Sequence, residues 1–185
     1  MSLNRSMVPL LILLAAGGSA HALELNEGIH GMAWASHISR HPHLTLVRES
    51  AGARYYVDAD TVYSITNQAV PGVIYGFYEE RFFAVFIRMS TPNQFYYITQ
   101  RFKDLFGAPK ISAQSDTGET IYQWKDGEVK IKMKVSDAKG KLKLGIYYAP
   151  LSSRLNETRL ESIPDETFSE RVPQGDAPLS PLFDP

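Results

Sequence analysis

Three histidines fall within seven positions of the stretch ASHISRHPHL: His37, His41 and His43. A fourth, His30, lies just upstream. An H-x3-H-x-H spacing offers three neutral imidazoles to zinc or copper. Two features weigh against that chemistry. An i, i+4 pair needs a regular helix, and Pro42 disfavours helical backbone at His41. No cysteine or acid lies beside the histidines to complete a ligand set, so Asp58 or Asp60 would have to be brought in by a hairpin. The competing reading is a polar lead-in to a fold.

A second constellation is basic. Lys130, Lys132 and Lys134 alternate in EVKIKMKV, and Lys141 and Lys143 in KLKLGIYY. Alternate residues of a strand share a face, so the five ammonium groups form one surface. Such a surface attracts the phosphate or carboxylate of lipid head groups, lipopolysaccharide or peptidoglycan. Two other readings stand beside it. The lysines are a solvated face that discourages edge-to-edge association. Alternatively the acidic C-terminal residues cover them: residues 156–185 hold seven acids and two arginines, a net charge of −5.

The carboxylates suggest less. Asp58 with Asp60, and Glu79 with Glu80, are the closest pairs. Glycoside hydrolysis needs two carboxylates about 5–10 Å apart across a cleft. A short chain with one long helix offers little cleft, so these read as turn and strand-end acids. No G-x-S-x-G elbow, phosphate loop or dinucleotide fingerprint occurs. The chain has no cysteine. That removes thiol nucleophiles, thiolate zinc sites, iron–sulfur clusters and disulfide exchange. No catalytic residue and no cofactor is assigned. Tyr96, Tyr97 and Arg101 lie off the apolar stripe of the helix described next. They form either a protein-interaction patch or ordinary packing at the helix flanks.

The elements that must position these groups are mainly strands. Residues 44–57 read as a hairpin, and TVYSI (61–65) as a short strand. VIYGFY (73–78) and FFAVFIRM (82–89), parted by Glu79–Arg81, predict a hairpin at the centre of a sheet and covered on one side. The hydrophobic period then changes to helical. Thr91 suits an N-cap and Pro92 the first helical position. Phe95, Ile98, Phe102, Leu105 and Phe106 form one apolar stripe, and Gly107 with Pro109 stops the helix. TIYQW, EVKIKMKV and KLKLGIYY then predict a three-stranded meander with one dry and one wet face. A short helix is expected within 152–163. Residues 164–185, acidic and proline-rich, are expected to lack structure unless they dock.

The two ends address location. MSLNR is followed by the apolar run MVPLLILLAA and by Ala20-x-Ala22, the pattern of a cleaved signal peptide. The run is about half the twenty residues needed to span a bilayer. No cysteine stands at the cleavage point to carry a lipid. Cleavage after Ala22 removes Arg5 and moves the formal charge from −1 to −2, which gives no reason to expect a nucleic-acid partner.

GIHGMAWASHIS (28–39) resembles the entry motif, G-x-x-W-G-T/S, of small exported bacterial domains of unassigned function. Gly31, Trp34 and Ser36 match it, with Ala35 in place of the usual glycine. Later elements of that pattern match at Tyr75, Phe77, Phe106, Gly107, Pro109, Tyr122 and Trp124. The resemblance spans about 28–148 and implies fold and export rather than chemistry.

The sequence thus predicts a signal peptide (1–22), an α+β domain (23–163) and a tail (164–185). The domain is an antiparallel sheet of hairpins and a meander packed against one amphipathic helix. Its expected place is the periplasm or outside the cell, with no membrane span after cleavage. The expected function is non-enzymatic binding or support of a cell-envelope partner, an envelope protein or an anionic envelope component. One alternative is a metal-binding protein or small metalloenzyme built on His37, His41 and His43; another is a binder of anionic lipid or glycan through the lysine-rich sheet face.

Overall fold

In a computed structural model the chain is described over residues 25–50, 52–115, 117–136, 140–155 and 178–183. The expected signal segment, most of the helix expected within 152–163, and most of the tail lie outside those residues.

The fold is mostly antiparallel sheet with few helices, and one helix exceeds a single turn among the described residues. β1 (Gly28–Ile29) and β2 (Met32–Ala33) form a small ribbon, followed by a 3-10 turn at Ile38–Arg40. β3 (Leu44–Ser50) and β4 (Ala53–Asp58) make the first hairpin. β5 (Val62–Ile65) and β6 (Gln68–Ala69) leave the main sheet. The chain returns through β7 (Gly72–Tyr78) and β8 (Arg81–Met89), and α1 (Pro92–Phe106) follows. β9 (Lys110–Gln114), β10 (Glu119–Asp126), β11 (Val129–Ser136) and β12 (Lys141–Tyr148) then form a second meander. α2 is one turn, Ala149–Ser152. β13 (Leu179–Pro181) lies near the C-terminus.

The main sheet has eight strands in the order β3-β4-β7-β8-β12-β11-β10-β9. Its halves are joined by antiparallel pairing of β12 with β8, from Leu142 opposite Met89 to Tyr147 opposite Ala84. β8 thus lies between a sequence neighbour, β7, and a strand from more than fifty residues later. α1 makes the connection between the halves.

The β7–β8 hairpin is apolar on both faces because both are covered. Residues 73–77 and 82–87 are all buried. The expectation of cover on one side is therefore exceeded. One face packs with Trp34, α1 and the β5–β6 unit in a large cluster around Tyr75, Phe82, Val85 and Ile87. The other packs Tyr55, Ile74, Phe83 and Phe86 with Leu151 and Leu155. A bulge opposite Gly76/Phe77 inserts Phe83 as an extra residue of β8, so that Phe83 and Ala84, neighbours in sequence, both enter this second cluster. Gly76 serves this crowding: a Cβ there would lie 2.9 Å from the Phe83 ring.

α1 occupies the predicted residues. Thr91 accepts from the Gln94 N–H, and the Gln94 side chain returns to the Thr91 N–H, a reciprocal capping box. Its covered residues differ in part from the stripe read in the sequence. Ile98 and Phe102 are buried, and Phe95 and Phe106 pack at the margin of the core. Leu105 is 40% exposed, while Gln94 and Thr99 are buried. Gln94 goes inside because its side chain also donates to the carbonyls of Gln68 and Ala69. Gly107 has φ 80 with ψ −170, a positive φ outside the left-handed helical region.

Two elements depart from the sequence reading. β9, a run in which every residue is exposed, extends the expected three-stranded meander to four. Its pattern carries no buried face to announce a strand. The tail expectation, unstructured unless docked, meets a docked end: Leu182 and Phe183 are buried in the main core.

Candidate functional site

The histidine stretch is held by backbone pairing to the β7–β8 turn. Ala35 N–H donates to the Phe82 carbonyl, Phe82 N–H to Ser36, and Ile38 N–H to Glu80. Trp34, just before, stacks on Phe82 at 4.7 Å between ring centres and donates its indole N–H to the Leu25 carbonyl.

This pairing fixes where each imidazole goes. His37 Nδ1 accepts from the Ser39 N–H, so Nε2 carries the proton and faces Glu80 Oε2 at 2.8 Å. Glu80 Oε1 also lies 3.5 Å from Arg54, which pairs with Glu49. His41 Nε2 lies 2.9 Å from Ser36 Oγ, and the His43 ring stands perpendicular to His41 with centres 6.1 Å apart. Burial lowers the His41 pKa, followed by the charges of His43 and Arg40. The structure therefore brings His41 and His43 together and points His37 to a carboxylate. Among the described residues, no group of three or more His, Cys, Asp or Glu is placed to hold a metal ion. Pro42 acts as the sequence suggested: the 3-10 turn stops at Arg40, and His41 has φ −126, ψ 59.

The acid pairs separate. Glu79 and Glu80 form the two-residue turn of the β7–β8 hairpin, with φ of 49 and 62. Both central residues at positive φ match the twist of a tight hairpin. Asp58 accepts from the Asp60 N–H and the Thr61 hydroxyl, capping the exit of β4.

The five lysines are brought together. Lys130, Lys132 and Lys134 lie on β11 and Lys141 and Lys143 on β12, all partly buried. The strand register sets like charges opposite one another: Lys130 against Lys125, Lys134 against Lys143, and Lys143 against Arg88. Each such opposition is unfavourable taken alone. Glu119 Oε2 lies 3.7 Å from Lys134 Nζ. Where β9 begins, an open hollow of about 440 Å³ is lined by Lys110, Lys125, Lys130, Lys132, Gln123, Trp124, Ile131, Phe106 and Ala108. Lys110 and Lys125, which sequence reasoning did not single out, thus join the basic surface. β9 carries the first of them, and its lack of a hydrophobic pattern kept it from view.

Of the helix patch, Tyr96 is 65% exposed. Tyr97 packs against the main core, and Arg101 is partly buried with Nε inside. Tyr97 and Arg101 thus keep part of their surface exposed, less than Tyr96 does.

A buried polar chain also escaped the sequence reading. The Tyr75 hydroxyl donates to Tyr63 at 2.7 Å, and the Tyr63 hydroxyl reaches Asp58 Oδ2 at 3.4 Å. Burial pushes the Tyr75 phenol well above its usual range, with the Tyr63 contact next in effect. The His30 ring stands edge-on to Tyr63, 4.8 Å away. These residues come from β1–β2, β4, β5 and β7, and no local motif links them.

The chain matches no family model, no curated protein and no solved structure.

Proposed function

We propose that the protein is an exported, non-enzymatic α+β domain, its amphipathic helix laid on the sheet, that binds an anionic component of the cell envelope. The observation that carries this reading is the hollow at the start of β9, whose lining includes Lys110, Lys125, Lys130 and Lys132. Cations gathered at one hollow suit a ligand that carries phosphate or carboxylate groups.

The test uses vesicles with and without anionic lipid at rising ionic strength. Binding is expected only to the anionic vesicles and weakens with salt, since exposed charges are screened within about 10 Å at 0.1 M. Lys130→Glu with Lys132→Glu should weaken it about tenfold or more, the equivalent of ~1.4 kcal/mol. Equal binding to neutral vesicles, or none at low salt, overturns the reading. Export is checked separately by the mass of the chain recovered from the cell envelope, expected to begin at Leu23.

A further inference from the structure

β13 is held as a bound ligand would be. It runs parallel to β5, with Leu179 opposite Val62, Ser180 opposite Tyr63 and Pro181 opposite Ser64. Just past the strand, the Leu182 N–H donates to the Ser64 carbonyl at 2.9 Å. Three paired residues at a sheet edge contribute little alone. The anchors are the next two side chains, Leu182 at 4% and Phe183 at 2% exposure. The Phe183 ring stands edge-on to Phe102 of α1, 5.7 Å between centres. The His30 ring meets the Leu182 backbone, while its Nε2 is buried without a hydrogen-bond partner.

The strand itself faces outward: Leu179 is 43% exposed and Pro181 is exposed. A proline lacks the N–H that an inner strand must donate, so it belongs on an edge. Twenty-two residues separate Leu155 from Pro178. Backbone pairing to a strand edge, with specificity from pockets for a few side chains, is how peptides are recognised by strand addition.

We propose that the groove between β5, His30 and Phe102 is a strand-accepting peptide site. Its ligand class is an extended segment with two adjoining large apolar residues behind a proline. Residues 178–183 are its resident occupant. Tethering gives that occupant an effective concentration on the order of millimolar, so a competing segment must be abundant or itself tethered. The proposal is independent of the lysine surface and of the envelope location.

The test uses the full chain and a labelled peptide of residues 178–185, PLSPLFDP, with a scrambled peptide as control. Phe183→Asp weakens the resident segment and should bind the labelled peptide at least about tenfold more tightly than the unaltered chain. In the unaltered chain, excess peptide should raise hydrogen exchange across 179–183 while 62–65 stay protected. If Phe183→Asp fails to melt cooperatively, Leu182→Ala replaces it, and the exchange measurement needs no variant. Binding by the variant without displacement in the unaltered chain still supports the site, with a slowly exchanging occupant. No binding to any chain and no displacement at millimolar peptide overturns it. So does equal binding of the scrambled peptide.

Discussion

At the scale of single residues, Ala35 and His30 carry the most testable consequences. Ala35 has φ 59, in the left-handed region where a Cβ crowds the following carbonyl at a cost of about 1–2 kcal/mol. Its backbone is pinned by the Phe82 carbonyl and by Arg81, which donates to the Ala35 carbonyl at 3.0 Å. Ala35→Gly is therefore expected to raise stability by about 0.5–1 kcal/mol, after the loss of one methyl contact and the greater unfolded-state freedom of glycine. A urea midpoint that falls instead would show that the methyl packing matters more than the strain. His30 makes a pH prediction. Burial lowers its pKa from the ordinary 6.5, opposed by the Leu182 backbone contact and the Asp58 charge. A folded value below the unfolded one means that the unfolded chain takes up the proton first. Stability is thus full above 6.5, falls as pH drops through that value, and levels off once the folded imidazole protonates. His41, also lowered, adds to the same slope. Thermal midpoints should decline as pH drops through about 6.5, and His30→Gln should flatten part of the decline. A flat profile in the unaltered chain would count against a buried neutral His30. This residue was visible in the sequence but its role was not. The clustering of His37, His41 and His43 drew the eye, whereas His30 acquires its partners from residues 58, 63 and 182.

At the scale of elements, legibility followed the strength of the local pattern. The helix at 92–106 was readable because Thr91, Pro92 and Gly107 mark its ends and the apolar period fills its length. The β10–β11–β12 meander was readable from alternation and Asp126-Gly127. β9 and the burial of Gln94 were not, because each depends on a partner elsewhere. Gln94 accepts from the Ser90 N–H at 2.8 Å and donates to Gln68 and Ala69, joining the helix start to β6. Gln94→Ala strips the cap and leaves these groups unsatisfied, so it should cost about 2 kcal/mol by urea denaturation. A loss below a few tenths would mean that water replaces the side chain. On β12, Lys143 lies between Lys134 and Arg88 in register. Lys143→Glu should weaken binding to anionic vesicles at low salt. Unchanged binding would mean that Lys143 lies outside the contact surface.

At the scale of the whole molecule, the question is whether the two halves of the eight-stranded sheet act as one unit. They are joined by β8 and β12; of the chain's two tryptophans Trp124 lies on β10, while Trp34, outside the sheet, packs against both strands of that seam. Trp34 stacks on Phe82 and, at 6.0 Å, on Tyr148. Trp124 lies edge-on to Phe102 at 5.6 Å and donates to the Gly107 carbonyl. Both belong to one continuous cluster that runs through Tyr75, Val85, Ile146 and Ile131. Losing either half would expose the central hairpin and the inner face of β12. That exposure removes about 25 cal/mol of stabilisation for each Å² of apolar surface, over many large side chains. Partial unfolding is therefore costly, and the halves should melt together. Incorporating fluorotryptophan into the unaltered chain supplies two ¹⁹F resonances without mutation. Both should lose their folded signal at the same urea concentration, and the far-ultraviolet circular dichroism should change there too. Separate midpoints for Trp34 and Trp124 would mean that the β10 side of the sheet unfolds apart from the β8–β12 seam on which Trp34 packs.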